Sequence, residues 1–326
     1  MLEVTRLTRF YGDFKAVDEV NFKIDHGEIV GLLGHNGAGK TTIMKMLSGY
    51  LEPNNGSITI DNINLQIDPK KAQLEIGYLP ENLPIYPEMT VADYLDYVGD
   101  MKGLAEEDKV QEIRRVIRET ALVDKLLSPI ATLSRGYKQR VGVAQAILGK
   151  PRILILDEPT NGLDPTQTEQ MRILIKTLAS KATVILSTHI MQEVDAICDR
   201  ALIIRHGRLA VDAGLEELRR SNTLLLVASS GITAVNSALS SLEDELAIEP
   251  LPDHTAQANQ SPFNYRLRVE GDTNPQKLIP EITRLLVQAD IDIYGISQEK
   301  RDLETLFREV NTVPVKTPAE ETKDAA

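Results

Sequence analysis

The run Gly34-His35-Asn36-Gly37-Ala38-Gly39-Lys40-Thr41 constrains this chain more than any other stretch. It fits G-x-x-x-x-G-K-[ST], and its context fits too: the apolar run Ile29 to Leu33 precedes it, and Thr42 to Ser48 reads as a helix ending at Gly49. Glycines in a strand-to-helix turn let successive backbone N–H groups converge on phosphate oxygens, and the helix N-terminus adds about half a positive charge. Residues Gly34 through Thr42 are therefore expected to cradle a nucleoside triphosphate. Lys40 reaches the β- and γ-phosphates, and the Thr41 hydroxyl is placed to hold Mg²⁺.

The surroundings predict an α/β fold with a P-loop NTPase sheet. Ile29 to Leu33, Ile153 to Leu156 and Thr183 to Ser187 are short runs without polar alternation, as suits strands of a parallel sheet covered on both faces. Ligands of such sheets gather at the carboxyl ends of the strands, and further motifs lie at those ends. Ile153-Leu154-Ile155-Leu156-Asp157-Glu158 finishes in two acids: Asp157 is expected to hold Mg²⁺ through water, and Glu158 to act as general base on the attacking water. Thr188-His189 follows the third strand, which offers His189 to the γ-phosphate or that water.

Residues 90–150 read as a helical insertion, with helical spacing over Val91 to Met101, Glu106 to Glu119 and Tyr137 to Leu148. Ile203 to Leu209, centred on His206-Gly207, reads as a tight hairpin closing a first domain of residues 1–215. A small α+β domain is expected over 216–311. Its strands fall near Thr223 to Ala228, Ala247 to Glu249, Tyr265 to Glu270 and Ile291 to Ser297, and its helices near Thr233 to Leu242 and Pro275 to Ala289. Pro250 to Pro262 reads as a mobile loop and residues 312–326 as a disordered tail.

Composition narrows the function. A formal net charge of -12 and the absence of Trp argue against a phosphate-backbone surface or a base-stacking platform, so no nucleic-acid partner is expected. No apolar run reaches the roughly 20 residues of a membrane span, so work at a membrane requires docking on another subunit. Cys198 is the single cysteine and reads as a small buried residue in a reducing compartment.

Leu133-Ser134-Arg135-Gly136-Tyr137-Lys138-Gln139-Arg140 lies between the cradle and the acidic strand. With those motifs, it makes residues 1–215 resemble the ATP-binding cassette of ABC transporters, whose Leu-Ser-x-Gly signature separates them from other P-loop ATPases. Asn161-Gly162-Leu163-Asp164 is similar to the family's loop after the acidic strand, and Tyr11 to its adenine-stacking aromatic. The resemblance implies that Ser134 and the Gly136 amide meet the γ-phosphate of ATP held by the opposite subunit. Two ATP molecules are then sandwiched between this chain and a second copy or a homologous ATPase. It also implies a polytopic permease as partner and a cytoplasmic position, peripheral on the inner face of the cell membrane.

Two departures point to a branch. The widespread signature has Gly where Arg135 stands and Gln where Tyr137 stands. In Gly77-Tyr78-Leu79-Pro80-Glu81, Glu81 takes the place of the family's glutamine and is a further candidate for Mg²⁺ through water. Both variants resemble the ATP subunits of two-component exporters of the drug, polysaccharide and gliding-related branches. The competing expectation is a soluble ABC ATPase acting on a ribosome or chromosome. Against it, translation-type members usually carry two cassettes in one chain, and chromosome-type members place a long coiled coil between cradle and acidic strand; this chain shows neither.

Overall fold

The computed structural model describes residues 1–242, 245–251, 262–270, 274–300, 303–305 and 307. The chain divides into two compact units, Met1–Leu215 with Phe307–Ala326, and Glu216–Leu306. The expected tail over 312–326 lies outside the described residues, as does most of the expected loop from Pro250 to Pro262.

The first unit runs β1 (Leu2–Tyr11), β2 (Phe14–Ile24), β3 (Ile29–Leu33), α1 (Lys40–Leu47), β4 (Asn55–Ile60), β5 (Ile63–Asn64), α2 (Pro69–Leu74) and β6 (Ile76–Leu79). It continues with α3 (Val91–Met101), α4 (Glu106–Glu119), α5 (Arg135–Ile147), β7 (Ile153–Asp157), α6 (Pro165–Ala179), β8 (Thr183–Ser187), α7 (Met191–Ile197), β9 (Arg200–Arg205) and β10 (Arg208–Gly214). Two sheets form. One is antiparallel, in the order β2-β1-β4-β5; the other has the order β10-β9-β3-β8-β7-β6. In the second sheet β9, β3, β8, β7 and β6 are parallel neighbours, and β10 returns antiparallel along β9.

The six-stranded sheet forms where the sequence is uninterruptedly apolar: every residue of β3, β7 and β8 is buried. Between the two sheets α1 contributes Ile43, Met44, Met46 and Leu47, each fully buried against residues such as Val4, Leu7, Val30 and Ile155. Burial of such side chains stabilises the packing by about 1.5–3 kcal/mol each. That packing anchors the helix whose first residue is Lys40.

The helical insertion contains α3, α4 and α5. Helix α5 starts at Arg135, two residues before the expected Tyr137, because Ser134 caps it: the Ser134 hydroxyl accepts from the Tyr137 amide at 3.4 Å.

After α8 (Leu215–Leu218), the second unit contains β11 (Arg220–Ala228), α9 (Ile232–Ala238), β12 (Leu246–Pro250), β13 (Phe263–Val269), α10 (Pro275–Gln288) and β14 (Ile293–Lys300). Its four strands form one antiparallel sheet, β12-β13-β11-β14. Leu224, Leu226 and Tyr265 pack there with Val235 of α9 and Ile282 and Leu286 of α10.

Candidate functional site

The parallel strands set out the site by their order. Adjacent strands β3, β8, β7 and β6 lead respectively into the glycine-rich loop, His189, the Asp157-Glu158 pair and Glu81. A cleft of about 460 Å³ opens there, lined by Tyr11, Phe14, Ala16, Asn36, Gly37, Gly39, Lys40, Thr41, Thr42, Glu81, Glu158, Asn161 and His189. Gly34, His35 and Ala38 complete the loop behind this lining, and Asp157 is buried beneath it at 1 % exposure.

Two glycines are required by close approach. A β-carbon on Gly34 would stand 2.6 Å from the Ile204 carbonyl oxygen, and one on Gly39 would stand 2.7 Å from that of Ala16. Gly39 also has φ +109°, the conformation that turns the loop into α1. Lys40 Nζ, almost wholly buried, donates to the carbonyls of Gly34 at 2.7 Å and His35 at 3.2 Å. Burial lowers its pKa, while Glu158, Asp157 and Glu81 oppose that shift. The His35 ring is tilted against Phe307 with centroids 4.9 Å apart.

One hydroxyl ties the Asp157 carboxylate to the backbone of Glu158. Ser187 Oγ donates to Asp157 Oδ1 and accepts from the Glu158 amide at 3.0 Å. Glu158 has φ +50°, a conformation seldom taken by a residue with a side chain. It follows the last strand residue, and its carboxylate lines the cleft. His189 Nδ1 lies 3.1 Å from each of its carboxylate oxygens. Burial raises the pKa of Glu158, and the His189 contact opposes the rise. Asp157 is likewise raised by burial, with the Ser187 hydrogen bond acting against it and the Glu81 charge adding to it.

Tyr11 is half exposed at the cleft wall, with the Arg9 guanidinium 5.2 Å from its ring centroid. Ser134 and Gly136 are elsewhere. They line a second cavity of about 340 Å³ with Tyr137, Arg140, Gln167 and Met171, and that cavity shares no lining residue with the first. Phe14, Ala16 and Asn161 join the cleft without a motif position that assigns them there. Phe14 and Ala16 arrive through the pairing of β1 with β2, and Asn161 was legible only as part of the loop after the acids.

Residues Gly34 to Thr42 and Asp157-Glu158 lie within a match to the ABC transporter family over residues 17–161. The chain is 32 % identical over 315 residues to the uncharacterized ABC transporter ATP-binding protein YdbJ of Bacillus subtilis, covering 96 % of each protein. It is 32 % identical over 309 residues to the bacitracin transport ATP-binding protein BcrA of Bacillus licheniformis, covering 94 % of this chain and 96 % of that one. A solved structure described as the ATP-binding subunit of an ABC transporter superposes with TM-score 0.61 at 33 % identity, over 67 % of this chain and 91 % of that one. With the phosphate loop, acidic strand and His189 grouped on one edge of a P-loop sheet, and relatives aligned almost end to end, the chain belongs to the ATP-binding, ATP-hydrolysing subunits of ABC transporters.

Proposed function

We propose that ATP held in the cleft of one subunit is completed by Ser134 and Gly136 of a second, and that closing and reopening this sandwich drives export through a polytopic permease. The observation supporting the sandwich is the separation of the two half-sites. The cradle and the Ser134–Gly136 cavity are both open and share no residue within the chain. A γ-phosphate that needs both must take the second from another polypeptide, a second copy or a homologous ATPase. Work comes from the difference in ATP affinity between the open and closed assemblies.

The roles follow from position. Tyr11 stacks on adenine. The loop amides from Gly34 to Thr42 and the Lys40 ammonium bind the phosphates, with Lys40 exchanging its carbonyl partners for phosphate oxygens. Glu158 orients the attacking water and takes its proton; burial makes this carboxylate a stronger base than one in water. His189, hydrogen-bonded to Glu158, steadies the carboxylate and stands ready for the charge gathering on the γ-phosphate.

The residues also fit Mg²⁺. Asp157 and Glu81 repel one another electrostatically, and Thr41 lines the same cleft, a hard oxygen set that welcomes a divalent cation. Bound there, Mg²⁺ would neutralise phosphate charge.

Export rests on the likeness to a bacitracin transport protein and on the Arg135, Tyr137 and Glu81 variants. The chain then sits in the cytoplasm, on the inner face of the cell membrane through its permease. Because one relative is named as an ABC transporter protein and the other as a transport protein, a ribosome- or chromosome-directed role is the weaker reading. The test is ATP-dependent dimerisation of Glu158→Gln by analytical ultracentrifugation. Dimers that form with ATP, and fail to form once Ser134→Phe is added while each monomer still binds nucleotide, support the sandwich. Unchanged dimerisation with Ser134→Phe refutes it.

A further inference from the structure

The loop carrying His189 is held by a buried acid that no motif singles out. Glu193 lies in α7, is only 3 % exposed, and has no basic partner among the described residues. Its Oε2 accepts from the hydroxyl of Thr188 at 2.7 Å, and that hydroxyl accepts from the Ile190 amide at 3.1 Å. Thr188 itself is fully buried. His189 stands between these two residues with half its side chain exposed, and its backbone is clamped on both sides by one hydroxyl group.

We infer that Glu193 is the positioning residue for His189, acting through Thr188 to keep the imidazole against Glu158. The chemistry of the three groups gives the direction. A carboxylate only accepts, so it takes the single hydroxyl proton of Thr188. The hydroxyl lone pairs are then left for the amide of Ile190, the N-cap residue of α7. Without the carboxylate the hydroxyl is free to rotate, and the amide loses a fixed acceptor. The ring at position 189 then loses the backbone frame that aims Nδ1 at Glu158. A buried acid without a cation is costly to keep, and hydrophobic replacement of such groups is often well tolerated. Its presence is accounted for by this aiming role better than by stability.

The inference rests on the reading of His189 as part of the hydrolytic machinery, and the variants separate the two. ATP turnover of the full chain is measured against pH and ATP concentration for Glu193→Leu, Glu193→Gln, Thr188→Val and His189→Ala, with thermal melting and His189 imidazole NMR on each. Glu193→Leu is expected to lower kcat by about 10- to 100-fold, with KM within about threefold of the parent. Its melting temperature is expected to be retained, and its His189 signals to move toward those of a freely rotating ring. Thr188→Val should match it, and the double variant should be no slower. Glu193→Gln, which still presents an acceptor, should restore most of kcat.

If His189→Ala slows turnover and Glu193→Leu does not, the positioning role is overturned and the His189 assignment stands. If His189→Ala leaves turnover unchanged, both fall. A Glu193→Leu variant that loses melting temperature, KM and kcat together, without rescue by Gln, makes Glu193 a structural residue only and overturns the inference.

Discussion

His189 Nδ1 lies equidistant, at 3.1 Å, from the two carboxylate oxygens of Glu158. The imidazole therefore shares one ring nitrogen evenly between the two oxygens of the carboxylate that lines the cleft. Glu158→Gln is expected to reduce phosphate release by about 10²- to 10⁴-fold, the usual contribution of a general base, while leaving nucleotide binding in place. Because the pair works as a unit, the Glu158→Gln/His189→Ala double variant should be little slower than Glu158→Gln alone. Additive losses in a multiple-turnover assay would show that the two residues act separately.

Lys40→Ala should abolish hydrolysis without unfolding the chain. The ammonium is buried and its pKa is depressed by that burial, so its removal relieves a desolvation cost even as it leaves the Gly34 and His35 carbonyls without their donor. A circular dichroism melt close to that of the parent, with no phosphate release, is the expected pair of results.

Gly39→Ala and Gly37→Ala should differ. Both positions have positive φ, but a β-carbon at Gly37 meets nothing within 4 Å, whereas one at Gly39 runs into the Ala16 carbonyl. Gly37→Ala should cost about 1–2 kcal/mol from backbone strain alone. Gly39→Ala should cost more and should also weaken ATP binding. Urea unfolding of the two variants compares them directly.

Tyr11→Ala should weaken ATP and ADP equally, since the proposed partner of the ring is the base, which the two nucleotides share. A stacking contact of about 1–1.5 kcal/mol corresponds to roughly a tenfold loss of affinity. Tyr11→Phe should keep it, and fluorescence titration with both nucleotides checks the equality.

Lys102 supplies a pH dependence. Burial lowers its pKa to about 8 from 10.5, while its Nζ donates to the Ala146 and Leu148 carbonyls at the end of α5. The folded state therefore holds this proton less tightly than the unfolded chain. The resulting penalty is complete below pH 8 and is relieved between pH 8 and 10.5. Relative to Lys102→Met, the parent should gain stability as pH rises through that window, by at most about 3 kcal/mol. A constant difference between the two across those pH values would refute the shift.

The parallel strands were legible because they are buried on both faces, so Ile29 to Leu33 and Thr183 to Ser187 appear as bare apolar runs. The antiparallel sheet was not. In β1 the alternation of Leu2, Val4 and Leu7 is broken by shifts of register, and Arg6 and Glu19 take positive φ where β1 and β2 pair irregularly. A period of two cannot be read through such bulges. The phosphate loop and acidic strand were legible because each packs its chemistry into consecutive residues. Phe14 and Ala16 were not, since only the hairpin brings them beside the cleft, and Glu193 acts on His189 through a contact that exists only once α7 has formed.

The Ser187 hydroxyl joins two neighbouring residues at the end of β7 to β8. Its lone proton goes to Asp157 and its oxygen receives the Glu158 amide, so the Asp157 carboxylate and the Glu158 backbone are held from one point of β8. A shift of β8 that moves this hydroxyl therefore displaces the Asp157 carboxylate and the Glu158 backbone together.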